Sequence, residues 1–160
     1  MGLRKRKPAR GQVLVLFAML IPVIVLFFLF ALGLASLLDA RAHAADALSV
    51  ATRAGARQVE YAAYGQPGMQ FSTPVLTETV RTVFSDSLAL RTAGLADTPA
   101  QIAAGSEIVL GYGSPASPWT SPFLAGRPHP HPTVAARAHV PIRVWMFDLT
   151  VSIVSETEVK

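Results

Sequence analysis

The stretch QVLVLFAMLIPVIVLFFLFALGLASLL (residues 12–38) decides how the rest of this chain is read. It contains no charged side chain, and nineteen of its 27 positions are Leu, Ile, Val or Phe. As a helix rising 1.5 Å per residue it would extend roughly 40 Å, longer than the ~30 Å hydrocarbon core of a bilayer. Each large apolar residue favours insertion by about 0.3–0.6 kcal/mol near mid-membrane, so the run as a whole partitions strongly into lipid. Pro22 is tolerated in such a helix, where it can introduce a kink.

Charge sets the orientation. Arg4, Lys5, Arg6, Lys7 and Arg10 precede the run, and only scattered charges such as Asp39, Arg41 and Asp46 follow it. The positive-inside rule then places residues 1–11 in the cytoplasm, residues 12–38 across the membrane and residues 39–160 outside. Those five basic residues also account for the pI near 10.0; of the fourteen Lys and Arg, nine remain to face ten Asp and Glu. The body of the protein therefore has no basic surplus for a nucleic-acid backbone. A competing reading is a cleaved secretory signal, with ARA (40–42) or AHA (42–44) as the small-residue site. Against it, the apolar run is about twice a typical 7–15-residue signal core.

Beyond the run, DARAHAADALSVATRAGARQVEYAA (39–63) has ten Ala in 25 residues and no Pro, which predicts that the helix continues. Ala44, Ala45, Leu48, Ala51, Thr52, Gly55 and Val59 recur at 3–4 spacing and mark one packing face. Gly65, Pro67 and Gly68 end it. A second helix is predicted from Thr73, the cap, and Pro74, with Leu76, Val80, Val83, Phe84 and Leu88 as its buried stripe and Gly94 as its exit. Residues 105–113 read as a strand. The segment 113–132 has six prolines in 20 residues and reads as an extended, exposed loop.

The period then changes. Val134, Ala136, Ala138 and Val140 alternate with Arg137 and His139, and Leu149, Val151 and Ile153 alternate with Thr150 and Ser152. Two such runs within 133–159 predict a half-buried antiparallel pair. PIRVWMF (141–147) reads as an apolar connection between them, and Trp145 and Phe147 are candidate membrane-interface contacts.

Chemistry-bearing residues are sparse. There is no cysteine, so disulfides, thiolate metal sites and thiol nucleophiles are excluded together. His129 and His131 fall in the Pro-rich segment with no Asp or Glu near them in sequence, and they read as exposed; His43 and His139 read as ordinary positions. Ser114, Ser117 and Ser121 lack a nucleophile-elbow setting, the glycines form no phosphate-binding loop, and the acidic residues are scattered singly. The sequence thus points away from an enzyme, and no cofactor, metal or small-molecule substrate is expected. What remains is association: with lipid, and with neighbouring helices through Ala18, Ala31, Gly33 and Ala35.

Arg10-Gly11, Phe17-Ala18 and Pro22 in RGQVLVLFAMLIP, followed by Asp39 and HAADALSVATRAGAR (43–57), resemble TadE/TadG-like proteins of the Flp (tight adherence) pilus machinery. The tail, a strand ending in Val140-Pro141 and then a final Thr/Ser-rich strand, is similar in a looser way. The resemblance implies a single-pass inner-membrane, pseudopilin-like assembly component with other pilus or secretion-system subunits as partners. In processed members a prepilin peptidase cuts after a Gly and a Glu stands five residues further on. Gly11-Gln12 would be that cut and Phe17 is in place, but Leu16 occupies the Glu position. A leucine inserts readily and cannot pair with a neighbour's N-terminal amine, which leans toward a retained, TadG-like anchor.

The fold expected is α+β and pilin-like: a long N-terminal transmembrane helix entering a small extracytoplasmic domain, with a second helix and an antiparallel sheet. The competing function is a secreted or signal-anchored binding module with a Pro-rich ligand loop.

Overall fold

A computed structural model describes residues 10–65, 73–124 and 126–159. Arg4, Lys5, Arg6 and Lys7 lie outside them. Helix α1 (Arg10–Gly65) runs for 56 residues without interruption, with Pro22 inside it. The chain divides after Ala35 into two units, and α1 contributes to both.

The described residues of the first unit, 10–35, are helix alone. Every residue from 14 to 32 is exposed, including Leu16, Phe17 and Pro22. A helix apolar on all sides and buried nowhere is the pattern of a segment solvated by lipid. By length and composition, α1 is the one helix among the described residues able to cross a membrane.

The second unit, residues 36–160, is α+β. After α1 come α2 (Thr73–Ala89), α3 (Pro99–Ala104), β1 (Glu107–Gly111), β2 (Trp119–Thr120), β3 (Pro128–His129), β4 (Thr133–Val144) and β5 (Phe147–Glu158). Strands β1, β4 and β5 form an antiparallel sheet in that order, and β2 pairs with β3 as a separate two-stranded ribbon.

One core joins these elements. The second half of α1 supplies Ala40, Ala44, Ala47, Leu48, Ala51, Ala56 and Val59, and α2 supplies Leu76, Val80, Phe84 and Leu88. The sheet's inner face adds Val134, Ala136, Ala138, Val140, Ile142 and Ile153. The small residues on α1 bring it close to its neighbours. At Gly55 an added Cβ would stand 2.7 Å from Val80 Cγ2 and 3.2 Å from Leu76 Cδ1, too near for any side chain without repacking. Thr52 is the one polar member of this α1 face among the described residues that is buried, and its hydroxyl is fully satisfied. It donates to Ser49 O (3.1 Å) and meets Ser155 Oγ (2.9 Å) and Thr157 Oγ1 (3.0 Å) on β5. A one-residue slip of β5 would turn both hydroxyls to the opposite face, so this cluster also fixes register.

Three sequence expectations are corrected. Helix α2 ends at Ala89 rather than near Gly94, which instead lies in the following loop with positive φ. The short α3 escaped the periodicity reading; its signal is local, a capping box in which Thr98 and Gln101 satisfy each other's backbone donors, with Pro99 opening the helix. The connection at 141–147 is far shorter than its apolar composition suggests. Strand β4 continues to Val144 and β5 starts at Phe147, leaving Trp145-Met146 as a two-residue turn. Pro141 fits because its carbonyl accepts from Ala96 N (2.9 Å) and its missing N–H is not needed there.

Candidate functional site

Two surfaces stand out: the exposed apolar half of α1, and the outer face of the sheet, where 113–132 folds back as an arm. Most of the arm is exposed, as its prolines suggest, but it is pinned at buried Ser121 and His129 and carries a short strand pair. Gly111 ends β1 without a side chain, and a Cβ there would collide with the indole of Trp119. At Gly113 a Cβ would collide with the carbonyl of His129. These two glycines let the β2–β3 ribbon lie directly against the end of the sheet. Ser114 and Ser117 close the intervening turn through reciprocal backbone bonds, and Ser121 Oγ accepts from Phe123 N (3.1 Å).

The arm is held at its far end by His129, which is buried rather than exposed. Its Nε2 lies 2.9 Å from Glu156 Oε2, and its Nδ1 lies 2.9 Å from Glu158 Oε1. Glu156 and Glu158 are two residues apart on a strand, so both side chains leave the same face. In the register, Glu156 is opposite Ala135 and Glu158 opposite Thr133, which places His129 over that end of the sheet. The acidic residues are therefore not all solitary, as the sequence suggested. The hydrogen bond from His129, opposed by partial burial, holds the Glu158 carboxyl below its ordinary value. Each ring nitrogen thus faces one carboxylate oxygen, while the second oxygen of Glu156, Oε1, is buried with no hydrogen-bond partner.

The same geometry bears on metal chemistry. Carboxylates on opposite sides of one imidazole cannot share an ion with it, and no three His, Asp or Glu among the described residues converge on one point. A second attachment joins Phe123 of the arm to Arg137 of β4, whose guanidinium lies 4.9 Å from the ring centroid. Arg137 also donates to Glu107 Oε2 at 2.6 Å, across the β1–β4 pair.

The other residues singled out from sequence are dispersed. Arg10, Gly11 and Gln12 belong to the first turn of α1, with Leu16 and Phe17 following on its exposed surface. His131 and His139 are exposed, whereas His43 is half-buried with Nε2 shielded and without a hydrogen-bond partner. Trp145 and Phe147 are both exposed at the tip of the β4–β5 hairpin. Comparison of the chain with protein-family models, with curated proteins and with solved structures finds no match.

Proposed function

We propose that this chain is a membrane-anchored, TadE/TadG-like component of Flp-type pilus assembly or secretion machinery. It acts without catalysis, through helix packing and protein–protein contacts. The N-terminus faces the cytoplasm and the α+β unit faces outward from the inner membrane. The observation that carries this reading is α1 itself. One helix is bare and apolar over residues 14–32, then supplies a full face of a folded core from Ala40 to Val59. That division of one helix between lipid and domain is the physical form that a pilin-like subunit requires.

The secreted alternative sits poorly with the same helix. Cleavage at 42 or 44 would cut α1 in mid-helix and strip Ala40, and with the later site Ala44, from the core. Its proposed ligand loop is also already engaged with the sheet through His129 and Phe123.

Three measurements on the producing cell test the proposal. Carbonate extraction should leave the chain in the membrane fraction, and N-terminal sequencing should find the basic tail intact. A start at Gln12 would indicate prepilin-type processing, and a start at Ala45 the secreted form. Deletion of the gene should abolish pilus assembly and surface adhesion; normal piliation without it would refute the assignment.

A further inference from the structure

We propose that the tip of the β4–β5 hairpin is a second membrane contact, with Trp145, Met146, Phe147 and Leu149 resting in the headgroup layer beside Leu90. This rests on the anchor reading above and adds a surface to it.

Hydrogen bonds and close contacts within the second unit fix where the tip lies. Arg143 N donates to Gly94 O (2.7 Å), and Leu95 bridges to Ile142. A Cβ at Gly94 would stand 3.6 Å from Ala40 Cβ and 4.0 Å from Ser36 Oγ. Arg91, in the same loop, pairs with Asp39. Gly94 and Arg91 thus stand beside residues 36–40 of α1, and Arg143, two residues short of the tip, is bonded to Gly94. The uncharged run ends at Leu38, so this is where the chain leaves the hydrocarbon.

The chemistry at that level suits an interface. Met146 is 90% and Leu90 85% exposed, and Trp145, Phe147, Leu149 and Leu38 are exposed with them. Large apolar side chains exposed together on a small unit are costly in water, whereas Trp, with its apolar ring and polar N–H, concentrates at the headgroup level. Charges lie just behind the tip as closed pairs, Arg143 with Asp148 (2.8 and 3.0 Å) and Arg91 with Asp39. The turn itself is a further sign. Trp145 has φ 57°, a left-handed conformation usually given to Gly or Asn in two-residue hairpins. An indole held there is a strained choice, and it turns two bulky apolar side chains outward where a water-facing hairpin would carry small polar ones.

The absence of cysteine makes single-site labelling straightforward. Full-length Met146→Cys, Ser152→Cys and Val25→Cys proteins would each carry a nitroxide in phosphatidylcholine–phosphatidylglycerol vesicles. Collision with oxygen, which concentrates in lipid, would be compared with collision with a water-soluble nickel chelate. The ratio at position 146 should exceed that at 152 several-fold and fall below that at 25. A ratio at 146 equal to that at 152, with 25 in lipid, would overturn the tip contact and leave the anchor standing. An aqueous ratio at 25 would overturn the anchor and the tip contact together. Shielding of 146 from both reagents, with dipolar broadening between labels, would assign the tip to a second copy and also overturn the lipid contact.

Discussion

The His129 imidazole and the Glu156 carboxylate lie 2.9 Å apart with side-chain exposures of only 3% and 4%. They come from segments 27 residues apart in the chain, a proline-rich arm and the last strand. Burying polar groups is costly unless they are paired, and here His129 Nε2 gives Glu156 Oε2 its hydrogen bond, while Glu156 Oε1 stays buried without one. The effect of the pair is to pin a flexible composition to the sheet.

Removing one member should therefore hurt more than weakening the bond. His129→Ala leaves Glu156 buried without its partner and is expected to cost about 1–3 kcal/mol, the range for a buried polar group left unsatisfied. Denaturant titration of the detergent-solubilised protein measures this, and limited proteolysis should show new cleavage within 113–132. An unchanged midpoint and an intact arm would show that the pair does not hold it.

Acid should loosen the same attachment. The folded-state value of Glu158 is lowered by its hydrogen bond to His129, so its contribution is present above the unfolded value near 4.5. That contribution disappears as the pH falls through the lower folded value. Trp119 lies 6.0 Å from the His129 ring and serves as the reporter. Its fluorescence should change below about pH 4.5, and Glu158→Gln should shrink the change.

Thr52→Val keeps the shape of the α1 face but deprives Ser155 and Thr157 of their shared partner. The expected loss is about 1–3 kcal/mol, from buried hydroxyls left unsatisfied. A substitution of similar size at exposed Val50, Val50→Thr, should stay within about 0.5 kcal/mol. Equal effects at the two sites would remove the register role assigned to Thr52.

Gly55→Leu should prevent α1 from docking on α2, because the space is already filled by Val80 and Leu76. Overpacking of this kind costs about 1–3 kcal/mol or more. Gly111→Val should act differently, displacing Trp119 and the arm while leaving the main core intact. Near-UV circular dichroism separates the two outcomes, the first losing tertiary signal broadly and the second losing that of Trp119.

Much of the architecture was legible because it obeys local periodicity. The α2 stripe at Leu76, Val80, Phe84 and Leu88 is buried as its 3–4 spacing requires, and the alternation at Val134, Ala136, Ala138 and Val140 gives the sheet's inner face. The burial of His129 was missed for an equally physical reason. Prolines and polar residues set local preference, but burial of His129 depends on carboxylates contributed by β5, and no local pattern announces such a contact. The two-residue spacing of Glu156 and Glu158 was the available sign, since it puts both on one face of a strand.

By itself the sequence determined the long apolar helix, its Ala-rich continuation and the strand pair, because hydrophobic periodicity and composition act within a few turns or residues. Only the tertiary structure decided that the proline-rich segment is pinned to the sheet at His129, that Gly111 and Gly113 clear its path, and that Gly94, bonded to Arg143 of the hairpin, stands beside Ser36 and Ala40. Each of those depends on close approach between residues far apart in the chain, and that is set by how the elements pack rather than by what each one prefers alone.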